Sequence, residues 1–461
     1  MNRSRPLVAL IFLFAGIAAT GQEHTFNRAT PPDASLDAIV RTAIENAPEL
    51  AAARANVEAA KRRVEPSRTL PDPSLSTTYQ NDGRAFSLGK AEGSFVGLML
   101  TQALPWPGKL ALAGRAAESE ARSLEMGTLG RAGLEIEARL RNAWYDLVLA
   151  RALDRLIEER RETARQIEAT TRDRYAAGLA VQQDVIRAQV ELARIDELKA
   201  GQRATIASRL AEVNRLAGHP QDAPLDTPAD LPGLAPIPSP ASLVASALQR
   251  SPEATSARQG IETGRLRVGL AQKAFRPDFV VSGGSMYRGN FAMGPMWQVG
   301  VGISLPVWTN KRQQNQLAEA EANVVGQAAE TDVIARELEL RTRERIAQLE
   351  TANDVAQLYR DKIVPLDQLS FESALVSYRS AKVPFVTVLD AVTTLYADRA
   401  SYLSRLAEAA KWRVAIDEVS LQPSAAGGSA SMAAPATSGA ASGQQQKFPG
   451  SGGTASMTSM R

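Results

Sequence analysis

The sequence predicts a mainly α-helical protein, a very long coiled-coil body carrying a smaller amount of membrane-type β-structure, built by internal duplication. Three observations carry this. Residues 108–175 contain no helix breaker beyond isolated glycines, and residues 309–378 contain only Pro365 besides one isolated glycine. At ~1.5 Å per residue such helices reach about 100 Å, too long for a compact domain. Within the second stretch Leu349, Ala352, Ala356, Tyr359, Ile363 and Leu366 alternate three- and four-residue steps, the heptad spacing of a coiled coil. Finally, the same landmarks appear twice in the same order.

Residues 1–21 read as an export signal, with Arg3 and Arg5 ahead of the apolar run LVALIFLFAGIAA and small residues at 19–21. That run is shorter than a spanning helix needs, and no later segment is longer. A bilayer crossing would therefore have to be made by a β-barrel. The first repeat, 35–218, opens with SLDAIVRTAIENAPEL, and the second, 242–421, with SLVASALQRSPEATS, aligning Pro48 with Pro252. LPDPSLSTTY then matches RPDFVVSGGSMY, and YAAGLAVQQDVIRA from Tyr175 matches YRSAKVPFVTVLDA from Tyr378 without gaps. Helices are expected at 35–64, 182–217, 242–275 and 384–420, each pair stacking end to end beside one long helix. A proline-rich linker, 219–241, joins the repeats, and a Gly/Ala/Ser-rich tail, 422–461, has the composition of a disordered segment.

Each half also holds two strand candidates. In MWQVGVGISL, Trp297, Val299, Val301, Ile303 and Leu305 alternate with Gln298, Gly300, Gly302 and Ser304. FVGLMLTQAL alternates less cleanly because of Met99, and PSLSTTYQ and DFVVSGGSMY are weaker. On composition alone, two hairpins of an ordinary soluble sheet remain open. The junctions TQALPWPGKL (101–110) and ISLPVWTNK (303–311) repeat one pattern. Pro105 and Pro306 end strands because they cannot donate a ladder hydrogen bond. Pro107 suits the first turn of a helix. Trp106 and Trp308 would lie at one level, in the interfacial aromatic belt where a barrel strand leaves a bilayer.

Composition excludes several functions. The chain has no cysteine, and its two histidines, His24 and His219, lie at the N-terminal edge and in the linker. Thiol or histidine catalysis, disulfides, thiolate metal sites and a lipidated N-terminal cysteine are all ruled out. A net charge of +3 offers no nucleic-acid-binding face. Neither a phosphate-binding glycine loop nor a catalytic carboxylate cluster stands out, so no enzyme, cofactor or resident metal is expected.

NAPEL, QALPWPGKL, YAAGLAVQQDV and IVPLDQLSFESALVSYRSAKVPFVTVLDAVTTLY resemble the TolC family of outer-membrane factors, over about 35–421. The junction and the IVP…VLDA…TLY block most resemble its cobalt-zinc-cadmium and copper-silver efflux branch. The resemblance implies a homotrimer in outer-membrane lipid, each subunit giving four strands to a 12-stranded transmembrane β-barrel continuous with an α-helical barrel across the periplasm. It implies a passive exit duct whose partners are a periplasmic adaptor (membrane fusion protein) and an inner-membrane RND-type pump. Metal cations are the implied cargo, with organic compounds or secreted proteins as alternatives. It also places a periplasmic gate at the distal helix turns. Asp390 matches a ring aspartate there, and Thr387 occupies the second ring position. Asp184 and Tyr378 match a hydrogen-bonded pair, and Val383 stands where an arginine is expected. The competing reading is a periplasmic coiled-coil scaffold or adaptor, which should lack paired amphipathic strands.

Overall fold

The computed structural model describes residues 36–82, 84, 93–288 and 294–421. The expected export signal and C-terminal tail lie outside the described residues. Helices α1 (Leu36–Asn46), α2 (Pro48–Arg62) and α3 (Val64–Arg68) lead into strand β1 (Ser74–Gln80). Strand β2 (Phe95–Leu104) returns into α4 (Lys109–Leu124), a π-turn at Glu125–Leu129, α5 (Gly130–Ala176) and α6 (Gln182–Ala217). The second half repeats the order with α7 (Pro240–Arg250), α8 (Pro252–Lys273), β3 (Asp278–Arg288) and β4 (Met296–Ser304). It continues through α9 (Gln313–Leu358), a π-turn at Tyr359–Ile363, α10 (Val364–Arg379) and α11 (Phe385–Glu418). No helix among the described residues is long and apolar enough to cross a membrane.

Among the described residues, four strands form one antiparallel sheet in the order β1-β2-β3-β4, with β1 and β4 as its unpaired edges. Register decides which residues share a face. Leu75 opposes Leu100, which opposes Gly283, which opposes Val299, and Leu104, Phe279 and Ile303 are aligned in the same way. That face is apolar, and Trp297, Val299, Val301 and Ile303 are all more than half exposed on it. The other face aligns Ser74, Thr101, Ser282 and Gly300, and Ser76, Met99, Gly284 and Gln298. Met99, which blurred the alternation of its strand, therefore points to the polar side, where Gln298 Nε2 lies 3.9 Å from its sulfur.

The helices continue the same lateral order. The α1–α3 and α6 line packs on α4–α5, which packs on α8 and α11, which pack on α9–α10. Leu140, Trp144, Leu147 and Val148 of α5, with Val213 of α6 and Ala407 of α11, form the core where the two halves meet. A polar seam also joins them: Ser119 and Thr263 hydroxyls lie 2.8 Å apart, and Ser123 and Ser256 hydroxyls 3.0 Å.

Three sequence expectations need correction. The first long helix is interrupted by the π-turn at Glu125–Leu129. The heptad seam holds through the buried Leu349, Ala352 and Ala356 and then fails, leaving Leu366 64% exposed. The π-turn at Tyr359–Ile363 adds a residue and swings the following face by roughly 100°, so Phe371 and Tyr378 point inward instead. Such a turn also relieves the clash between the Pro365 ring and the carbonyl four residues earlier. The proline-rich linker packs on the helices. Leu225 and Leu231 are buried, Asn214 Nδ2 donates to the Gln221 and Ala223 carbonyls, and Arg413 donates to Gly233 and Ala235. Pro107 stands before its helix rather than in the first turn.

Trp106 to Lys109 form a turn closed by Lys109 N–H donating to Trp106 O at 3.0 Å. Pro107 sits at its second position and Gly108, with φ of +87°, at its third, the arrangement of a type II turn. Gly108→Ala should destabilise the protein by about 1 kcal/mol, because a β-carbon is strained at positive φ. Its new methyl would also press on Lys273 Nζ, 3.1 Å from the ideal β-carbon. The check is the thermal midpoint of the detergent-solubilised protein, which should fall by a few degrees.

Candidate gate at the hairpin tips and the membrane junction

Two helix hairpins end in turns built alike. At the α5–α6 tip, Gly178 N–H donates to Tyr175 O at 2.9 Å and Leu179 N–H to Arg174 O at 2.8 Å. At the α10–α11 tip, Ala381 donates to Tyr378 and Lys382 to Ser377, both at 2.9 Å. These paired bonds are the Schellman ending, which requires a left-handed residue. Gly178 supplies it at φ +72°, whereas Ala381 adopts φ +58° despite its β-carbon.

Tyr378 lies inside the tip. It is 4% exposed, its ring meets Phe385 edge-on at 5.6 Å, and the Arg174 guanidinium sits 4.7 Å above it. Its hydroxyl has no hydrogen-bond partner. The expected Tyr378–Asp184 hydrogen bond is therefore not made in this conformation. Asp184 is half-buried in the first turn of α6, and Thr387 occupies the corresponding place in α11. At the tips themselves the two hairpins are bridged by Arg174, a residue the sequence did not single out. Its guanidinium donates to Leu179 O in its own tip, at 3.0 Å, and to Arg379 O in the other. Val383, where the resemblance expects an arginine, is half-buried in the turn between α10 and α11. The only sequence signal for Arg174 was an arginine three residues from a helix end, where cations satisfy terminal carbonyls.

Asp390 and Thr387 are exposed on the face of α11 turned away from the buried Val388 and Val392. Asp390 lines a cavity of about 1240 Å³ between α11 and α6, opposite Glu191 and Arg194. Counting from the aligned Tyr175 and Tyr378, the position of Asp390 in the first half is held by Arg187, which is also exposed. The repeats therefore present opposite charges at equivalent places.

At the other end, the two junctions differ. Trp106 is half-buried and its ring stacks on Phe279 at 5.8 Å, while its backbone N–H and Lys109 Nζ both donate to Asp278 Oδ1, at 2.7 and 2.8 Å. Trp308 is 70% exposed. Among the described residues no group of three or more His, Asp or Glu side chains is placed to hold a metal ion.

Tyr378→Phe should be neutral or stabilising by about 1 kcal/mol per subunit, since it removes a buried hydroxyl that bonds to nothing. Arg174→Gln should cost about 1–3 kcal/mol, because the Arg379 and Leu179 carbonyls lose a charged donor. Thermal unfolding of both variants separates this arrangement from one held by Tyr378, in which the order would be reversed.

Residues 39–219 and 243–419 match the family described as Outer membrane efflux protein. The chain is 25% identical over 405 residues to the cobalt-zinc-cadmium resistance protein CzcC of Cupriavidus metallidurans, covering 87% of this chain and 93% of CzcC. Among solved structures, the outer-membrane channel OprN superposes with a TM-score of 0.69 at 19% identity, covering 84% of this chain and 91% of OprN. VceC of Vibrio cholerae gives 0.67 at 20%, covering 84% and 96%. CusC gives 0.65 at 18%, covering 86% and 94%. The chain belongs to the outer membrane efflux protein family, a protein of the outer membrane and not an enzyme.

Proposed function

We propose that this protein is the exit duct of a tripartite efflux system. Three copies close a 12-stranded barrel, and their helices continue it as a hollow cylinder toward an inner-membrane RND-type pump, which a periplasmic adaptor joins to the duct. The observation that carries this is the open sheet: two unpaired edges flank an apolar face on one side and a Ser/Thr/Gly face on the other. Four strands are too few to close a barrel, whereas several copies joined edge to edge remove every free edge. The helices have the same open lateral order, so one operation closes both layers. Trp106 and Trp308 mark the periplasmic edge of the bilayer in this arrangement.

Metal cations are the proposed cargo, supported by the similarity to a cobalt-zinc-cadmium resistance protein. A duct need not hold its cargo, and the side chains here suit passage rather than capture. The tips form the gate, with Asp390 and Thr387 lining the mouth, and Asp184 and Tyr378 moving against each other as the hairpins part. Arg187 alternates with Asp390 around that mouth and offsets its charge.

Native mass measurement in detergent should give three copies; a stable monomer overturns the proposal. In planar bilayers, Asp390→Asn should weaken block by multivalent cations by roughly fivefold, about 1 kcal/mol, and Arg187→Gln should strengthen it. If Asp390→Asn leaves the block unchanged, the charged constriction lies elsewhere.

A further inference from the structure

One corner of the sheet's polar face is rich in sulfur. Met286 of β3 stands directly opposite Met296 of β4 and, on its other side, opposite Gly97 of β2. Met99 stands two residues along β2 from Gly97, on the same face. Glycines open the space between them. Met286 covers Gly97, its Cγ 3.2 Å from where a β-carbon there would stand, with Phe95 Cδ2 at 3.9 Å from the same point. Met99 reaches across Gly284, which brings its sulfur to 3.9 Å from Gln298 Nε2 on β4. A β-carbon at Gly284 would press on the Leu98 carbonyl and the Met99 backbone, so no side chain can stand in the way. Met99 and Met286 are half-buried, and Met296 is 44% exposed.

We propose that Met99, Met286 and Met296 form a thioether site for one soft monovalent metal cation, Cu(I) or Ag(I), in each subunit. Thioether sulfur is a soft, neutral donor that selects such ions, whereas magnesium, manganese and calcium call for oxygen. Oxygen of the required kind is absent from this corner. Among the described residues of this face the one carboxylate is Asp278, at the far end of β3 and bound to Lys109 at 2.8 Å. Charge sharpens the choice. Arg288 follows Met286 on the same face, opposite Phe95, and its repulsion costs a divalent ion twice what it costs a monovalent one. Methionine has three rotatable side-chain bonds, so the sulfurs can close on an ion without moving the strands. Neutral donors hold it loosely enough to exchange, as a site along a passage requires. That this face lines a lumen rests on the duct reading; the sulfur cluster does not.

The test is calorimetric titration of the full-length, detergent-solubilised protein with silver nitrate in chloride-free buffer, Ag(I) being the probe because it needs no reductant. One ion per subunit should bind, and X-ray absorption at the silver edge should show sulfur neighbours. Met286→Leu should weaken binding about tenfold, a loss of ~1.4 kcal/mol. The triple variant Met99→Leu, Met286→Leu, Met296→Leu should abolish it. Leucine conserves volume, so the thermal midpoint should hold and loss of binding cannot be loss of fold. Met126→Leu, on the π-turn at Glu125–Leu129, should change nothing. Equal silver uptake by the triple variant, an oxygen- or nitrogen-only shell, or displacement of silver by equimolar zinc would overturn the site. Conductance in planar bilayers separates the site from the duct reading. Silver that reduces current in the wild type but not in the triple variant places the site on the lumen. Tight silver binding with unaltered current overturns that placement and leaves the sulfur site standing.

Discussion

An unpaired strand edge is the constraint on which the rest of this structure depends. Each backbone N–H and C=O left free at such an edge must find water or another strand, and in lipid only another strand is available. The chain ends its sheet with β1 on one side and β4 on the other, both unpaired. Strand β4 also carries exposed Trp297, Val299, Val301 and Ile303 on one face. The helical layer repeats the predicament, since the line opening with α1 and the line ending with α10 each have a neighbour on one side only. In the proposed duct, strand and helix are two lengths of the same stave, which explains why the long helices need not form a compact core of their own.

Duplication supplies the staves in pairs, and divergence assigns the pairs different tasks. The first junction is internally satisfied, with Trp106 stacked on Phe279 and Lys109 bound to Asp278, while Trp308 in the second is left exposed. The first tip uses glycine for its left-handed residue and the second strains an alanine. Each long helix has a π-turn, but at different heights, so the two inward faces are re-aimed in different places. Equivalent positions hold Arg187 and Asp390. A ring assembled from such halves alternates in chemistry while remaining regular in backbone.

The tip also shows how polar groups partition between fixed and movable contacts. Arg174 donates to carbonyls of both tips, as helix ends demand of a nearby cation. The Tyr378 hydroxyl, buried without a partner, carries a cost that another conformation could relieve.

The sequence by itself determined the four strands, the long helices and the order in which they recur. Each rests on local rules: alternation along a strand, absence of breakers along a helix, and proline at a strand end. It also determined the absence of thiol and histidine chemistry, because those residues are missing or misplaced. Tertiary structure decided which groups meet. The π-turns follow from packing rather than composition, and they moved Leu366 out of the seam that heptad spacing had assigned it. Arg174 reaches its second carbonyl across more than two hundred residues, so no local pattern could reveal the link. Tyr378 resembles a hydrogen-bonding residue in the sequence and is a buried ring beneath an arginine in the fold. Spacing along a chain fixes the face on which a side chain stands, but only the neighbouring element fixes what that side chain touches.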